Sequence, residues 1–80
     1  MGAFDEIFAG KVKLILEKEE ALVLFEMLAD VKQGSVVPIR DAAARQAIWN
    51  LVALFESALV EPFMPNYDAI LGEAKKRLAP

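Results

Sequence analysis

Glycine and proline divide this chain of 80 residues into helix-length segments. Gln33-Gly34 closes one segment, Pro38 follows a pair of valines, and Pro62 and Pro65 bracket a corner. Proline cannot continue a helix and glycine favours helix ends, so each helix must lie between these breaks. Between them, apolar residues recur at helical spacing. The pattern predicts three helices, over residues 17–32, 41–60 and 66–79.

The first predicted helix is nearly surrounded by apolar side chains. Its first turn carries Glu17, Glu19 and Glu20, where the helix dipole favours negative charge. The main apolar stripe is Ala21, Leu24, Phe25, Leu28 and Val31, and it is widened by Leu22, Val23 and Met27. A core-facing stripe normally spans somewhat more than 100°. Part of this helix is therefore expected to meet another protein chain.

The second and third predicted helices each follow a capping residue, Asp41 and Asn66. The main stripe of the second helix is Ala44, Ala47, Ile48, Leu51, Phe55, Ala58 and Leu59, with Val52 and Leu54 at its margins. The stripe of the third helix is Tyr67, Ile70, Leu71, Ala74 and Leu78. We expect the first two helices to pack antiparallel, with the third closing one side.

The N-terminal region has two weaker signals. Alternation and β-branched residues predict a short strand near residues 12–16, paired with Val36-Val37 or with the same strand of another subunit. Before it, Phe4, Ile7 and Phe8 are spaced as in a helical turn that Gly10 would close. Residues 1–10 form that turn or a flexible tail. The expected fold is all-α: a small three-helix domain over 1–80 with a short N-terminal strand or helical turn.

The composition predicts association with another protein. The hydrophobic share is 56%, whereas soluble domains have about 45–50% even with glycine counted. A domain of this size buries only about 60–65% of its unfolded surface, so some apolar surface stays outside. We expect a homo-oligomer, a dimer, or a complex with another protein. The interface candidates are Leu22, Val23, Met27, Trp49, Ala53, Val60, Phe63 and Met64.

Among these candidates, Trp49 is the most informative residue. It lies well off the main stripe of the second helix, and tryptophan is enriched at binding hot spots. The alternative is that the third helix or the N-terminal segment covers it as ordinary core.

The residue types argue against catalysis. The chain has neither histidine nor cysteine, which removes the usual general base, the thiol nucleophile and the commonest transition-metal ligands. Glu19, Glu26 and Asp30 could form an acid/base pair or hold a hard cation. A solvated acidic face explains them more simply. We therefore predict no enzyme and no cofactor.

The charge pattern argues against nucleic acid and membrane partners. The net charge is −3, and the one basic cluster, Lys75-Lys76-Arg77, suits the C-terminal end of a helix dipole. No apolar run approaches the roughly 18–20 residues that cross a bilayer. The first eight residues are acidic where a secretory signal is basic. A cytoplasmic location is expected.

Several segments together resemble small bacterial all-helical proteins of uncharacterised function. They are Ala21-Leu22-Val23-Leu24-Phe25-Glu26, Trp49-Asn50-Leu51, Val60-Glu61-Pro62-Phe63 and Pro65-Asn66-Tyr67. The resemblance covers about residues 17–78. It implies a bacterial, cytoplasmic protein and no particular activity.

The sequence favours three functional hypotheses, in decreasing order of support. The first is a non-enzymatic interaction or regulatory module, self-associating and adaptor-, immunity- or antitoxin-like. The second is a carrier of a small apolar ligand between helices, with Tyr67, Arg45 and Asn50 to orient the ligand. The third is a carboxylate-based enzyme.

Overall fold

The computed structural model describes residues 2–32 and 40–80. These residues form three α-helices: α1 (Lys18–Lys32), α2 (Ala42–Ala58) and α3 (Tyr67–Leu78), with a 3₁₀ turn at Glu61–Phe63. The prediction of an all-α domain with three helices is confirmed, and every described helix end lies within two residues of its predicted position. Gly34, Val36-Val37 and Pro38 lie outside the described residues.

Local side-chain chemistry accounts for where the helices begin. The Asp41 carboxylate accepts a hydrogen bond from the Ala43 N–H at 2.9 Å, which makes it the N-cap of α2 as predicted. At the start of α1, the Glu17 N–H donates to the Glu20 carboxylate at 3.1 Å, one half of a capping box. Asn66 occupies the N-cap position of α3 but makes no side-chain capping hydrogen bond.

α1 runs antiparallel to α2, as predicted. Lys18, at the start of α1, pairs with Glu61 just beyond the end of α2, with 2.9 Å between Nζ and Oε2. Two turns further along α1, the Phe25 ring meets the Phe55 ring edge to face, with centroids 6.3 Å apart. Residues later in α1 thus meet residues earlier in α2.

α1 also runs antiparallel to α3. The Tyr67 hydroxyl, in the first turn of α3, donates to the Glu26 carboxylate at 2.9 Å. Near the other end of α3, Ala74 and Arg77 line a groove together with Lys18 at the start of α1. α1 therefore packs against both other helices.

The core lies where the start of α1 meets the end of α2 and the middle of α3. Its buried residues are Ala21, Leu22, Leu59, Leu71 and Ala74, and Val23, Phe25, Phe55, Tyr67 and Ile70 pack around them. The inward stripe predicted for α3 is confirmed except at Leu78, which is 44% exposed at the helix end. Among the described helices, none has both the length and the hydropathy for a membrane crossing.

The inward face of α2 differs from the predicted one. Val52, expected at a margin, is buried, whereas Leu51, Ala47 and Ala58, expected in the core, are exposed. The inward line is Ala44, Ile48, Val52, Phe55 and Leu59. α2 carries enough apolar residues for two different stripes, and packing on α1 selects one of them.

The predicted strand near residues 12–16 is wrong. Residues 11–17 have no regular secondary structure, and the Ile15 side chain is fully exposed. A strand needs a partner for its backbone hydrogen bonds, and no residue in 2–32 or 40–80 supplies one. Before this segment, the Phe8 N–H donates to the Phe4 carbonyl at 3.1 Å, and Gly10 has a φ of 85°. The N-terminal element is thus the helical turn of the two alternatives.

Candidate interaction surface

One flank of α2, about 90° around the helix axis from its inward line, carries a second apolar stripe. Ala47, Leu51, Leu54 and Ala58 are all exposed, and they follow one another at intervals of four, three and four residues. With 3.6 residues per turn, this spacing places them within a sector of about 60°. Leu51 is 40% exposed and Leu54 65%. We call these four residues the α2 outer stripe.

The sector around the α2 outer stripe contains no charged side chain within α2. The two charges of this helix, Arg45 and Glu56, lie on the opposite side by helical position. The polar residues nearer to the stripe are neutral: the Gln46 amide donates to the Asn50 amide oxygen at 2.9 Å, and the Ser57 hydroxyl donates to the Leu54 carbonyl at 2.8 Å. Covering this surface would therefore require no charge to be removed from water.

Trp49 lies on the other flank of α2. It is 41% exposed, and the exposed Ala53 lies one turn along the same side. Val60, just beyond the helix end, is also exposed. By its position in the sequence, Trp49 lies off the main stripe, and in the structure the rest of the chain covers only part of its side chain. Arg45 and Glu56 lie near it, so this flank is apolar but bordered by charge.

The remaining predicted interface residues fall in different environments. Phe63 and Met64 are exposed where the 3₁₀ turn ends, and Met27 is half exposed on α1. Val23 packs partly against the core. Leu22 is only 2% exposed. Leu22 therefore forms the core of its own chain and has no free surface for another protein.

Sequence reasoning missed the α2 outer stripe because it assigned three of its four residues to the core. A usable signal was present: the charges of α2 are confined to Arg45 and Glu56, eleven residues apart and close together around the helix axis. The opposite sector therefore had to be neutral. The exposed N-terminal side chains Phe4, Ile7 and Phe8 were also absent from the predicted interface.

A groove of about 360 Å³ lies between α1 and α3. Leu22, Ile70 and Ala74 supply apolar lining, and Lys18, Glu19, Glu73 and Arg77 supply charge. Lys18 is paired with Glu61, and Arg77 Nε lies 3.5 Å from Glu73 Oε2. Tyr67, Arg45 and Asn50, the residues expected to orient a ligand, do not line this groove.

Contacts with neighbouring residues shift the pKa values of two ionisable groups, Glu61 and Tyr67. The hydrogen bond from Lys18 lowers the pKa of Glu61, while its other carboxylate oxygen is buried without a partner among the described residues. Burial raises the pKa of Tyr67, and the hydrogen bond to Glu26 raises it further. Tyr67 thus stays a protonated donor, and both contacts tie α1 to its neighbours.

The three acidic residues considered for catalysis lie in separate settings. Glu19 lines the α1–α3 groove, Glu26 accepts the Tyr67 hydrogen bond, and Asp30 is exposed near the end of α1. Across residues 2–32 and 40–80, no group of three or more acidic residues is placed to hold a metal ion. Glu26 therefore takes part in a hydrogen bond that joins α1 to α3.

Comparison with known proteins finds no match: no family model, curated protein or solved structure is significantly similar to this chain.

Proposed function

We propose that this protein is a non-enzymatic interaction module that acts by binding another protein chain. The observation that carries the proposal is the α2 outer stripe, an exposed apolar surface in a sector of α2 without charge. Within this proposal, the module is adaptor-, immunity- or antitoxin-like, and it works in the bacterial cytoplasm. The location rests on the resemblance to small bacterial helical proteins and on the absence of cysteine.

The energetics of exposure support this assignment. Burying apolar surface contributes roughly 25 cal/mol per Å², and the fold leaves Leu54 largely and Leu51 partly without that contribution. The centres of protein interfaces are depleted in charge, as the α2 outer stripe is. A surface that only kept the monomer soluble would carry charges there instead.

The charge balance and residue types support the same class of function. With more acidic than basic residues, the chain lacks a concentrated cationic face for phosphates. With no histidine or cysteine, the common nucleophiles and proton carriers are missing. The proposal therefore assigns no catalytic residue, no cofactor and no nucleic acid.

Photocrosslinking in cells tests the proposal. p-Benzoylphenylalanine would replace Leu54 in one variant and Glu73, an exposed residue of α3, in a matched control. We expect light-dependent adducts of discrete mass from position 54 and none from position 73. Equal labelling at both positions, or no adduct from either, would overturn the proposal.

The groove between α1 and α3 supports a second candidate, a carrier of a small apolar ligand. Its volume of about 360 Å³ falls at the lower end of the roughly 300–1,000 Å³ typical of ligand pockets. A thermal-shift series with fatty acids of increasing chain length tests it, because a ligand that binds the folded state raises Tm. Ala69→Glu, at an exposed position of the groove lining, would abolish a shift that arises in this groove. A series with no shift at any chain length eliminates the carrier.

A further inference from the structure

We infer that the occupant of the α2 outer stripe is the same stripe of a second copy, with the two α2 helices antiparallel across a two-fold axis. This inference rests on the proposed function and names its partner. The contact proposed here also differs from the interface expected from the sequence. Leu22, one of the residues expected at that interface, is buried, and the α2 outer stripe contains none of the others.

The order of residues along the stripe is the first argument. Alanine, leucine, leucine, alanine at intervals of four, three and four reads the same in both directions. In a two-fold dimer each surface meets its own copy. An antiparallel pair of helices then sets Ala47 against the partner's Ala58 and Leu51 against the partner's Leu54. Alternating intervals of four and three residues are also those of the core positions of paired helices in coiled coils.

Size complementarity follows from the same arrangement. The two leucines of each copy fill the centre of the contact, and an alanine lies at each end. Small side chains at the ends allow the helix axes to approach to the usual 8–10 Å. The stripe spans three turns, so the contact is short and apolar throughout.

Charge distribution is the second argument. A charged side chain inside the contact would be removed from water, which costs free energy unless the charge is paired. Arg45 and Glu56 lie on the side of α2 opposite to the stripe, so the contact buries neither of them.

The area of the contact is smaller than that of a stable interface. Specific stable interfaces bury at least about 1,200 Å² in total, and four short side chains from each copy cover less than that. The dimer should therefore be reversible and should dissociate on dilution, with a dissociation constant on the order of micromolar.

Sedimentation across a wide dilution series is the first part of the test. We expect a monomer–dimer equilibrium for the natural chain and at least tenfold weaker association for Leu54→Glu and for Leu54→Lys. Since Leu54 is 65% exposed, both variants should keep the helical circular dichroism and melting curve of the natural chain. Glu73→Lys on α3 is the control and should leave the equilibrium unchanged.

Disulfide trapping determines the geometry, and the absence of natural cysteine makes it clean. Ala47→Cys and Ala58→Cys chains would be mixed in equal amounts and oxidised with copper phenanthroline. An antiparallel pair brings position 47 of one copy to position 58 of the other, within the roughly 4.4–6.8 Å between Cα atoms that a disulfide needs. Random pairing gives as much mixed disulfide as the two homodisulfides together. We therefore expect the mixed disulfide to exceed their sum, and Glu73→Cys chains to crosslink only at the background rate.

The outcomes separate this inference from the proposed function. Homodisulfides in excess would show a parallel pair and overturn the antiparallel arrangement. A monomer at every concentration, with a photocrosslinked adduct to a different protein, would overturn the second copy and keep the interaction module. A monomer with no adduct at all would overturn both. If deleting residues 2–10 turned a monomer into a dimer, the N-terminal turn of the same chain would be the occupant instead.

Discussion

α2 and α3 differ in their outer sides, although both pack antiparallel on α1. α3 follows the usual pattern: Leu71 and Ala74 are buried, and its exposed side chains carry charges of both signs, including a Glu73–Arg77 pair one turn apart. α2 buries Val52 and the Phe55 side of the helix, but its outer stripe is apolar. The inward sides of both helices are apolar, whereas the exposed surfaces differ: that of α3 is charged, and that of the α2 outer stripe is apolar.

This difference distinguishes apolar surface that the fold uses from apolar surface that is left for another role. The core needs one apolar stripe from each helix, and both helices supply it. Most of the Leu54 surface in the α2 outer stripe makes no contribution of that kind. An apolar surface that the fold does not use is best explained by a partner that covers it. α3 shows how the same chain treats a helix side that needs no partner.

The comparison predicts that inward and outward leucines differ in stability. Leu71→Ala should lower the free energy of unfolding by about 2–5 kcal/mol, because it empties a buried position. Leu54→Ala should change it by less than about 0.5 kcal/mol, as expected for a surface position. Urea denaturation at a concentration where the chain is monomeric measures both. Equal losses would mean that the outer stripe is packed within the monomer.

A hydrogen bond distinguishes the α1–α3 contact from the α1–α2 contact. Tyr67→Phe should destabilise the fold by about 1–3 kcal/mol, because the partly buried Glu26 carboxylate loses its donor. Urea denaturation at neutral pH measures the loss. Phe55→Leu on α2 is the matched control, since it removes a ring contact and no hydrogen bond. A Tyr67→Phe protein as stable as the natural chain would contradict this role.

The raised pKa of Tyr67 adds a dependence on alkaline pH. The folded protein holds the phenol proton more tightly than the unfolded chain, whose tyrosine has the ordinary pKa of 10.0. The contribution of Tyr67 is therefore fully present below pH 10 and is lost as pH rises further. Because this is the chain's single tyrosine, tyrosinate absorbance reports the titration directly. The corresponding loss of stability should be missing in Tyr67→Phe.

The smallest predicted effect concerns the ion pair between the start of α1 and the residue beyond α2. Lys18 holds the pKa of Glu61 below its ordinary value of 4.5, so the pair stabilises the fold above that pH and loses its effect as pH falls through the lowered pKa. Lys18→Met should lower Tm slightly at pH 7, and the difference should vanish in acid. Lys75→Met on α3 should show no such convergence. If the Tm difference between Lys18→Met and the natural chain stayed constant at all pH values, the stabilising effect of Lys18 would come from packing of its side chain and not from the ion pair.

Local features explain why the helices themselves could be predicted. Asp41 precedes α2 and caps it, Pro62 follows α2 and prevents its continuation, and the apolar spacing of Tyr67 to Ala74 matches the buried side of α3. These signals act within a few residues of each other. The predicted strand near 12–16 failed because it depended on a distant partner for its backbone, which alternation in the sequence does not supply.

The sequence by itself determined that this chain forms three helices and carries more apolar surface than it can bury. Only the tertiary structure decided which apolar surface stays outside. α2 could have turned either Leu51 or Val52 towards α1, since its apolar residues surround most of the axis. The contacts that α1 makes at Phe55 and Glu61 fix the rotation of α2. Such contacts join residues about thirty to forty positions apart, and helical periodicity carries no information about them.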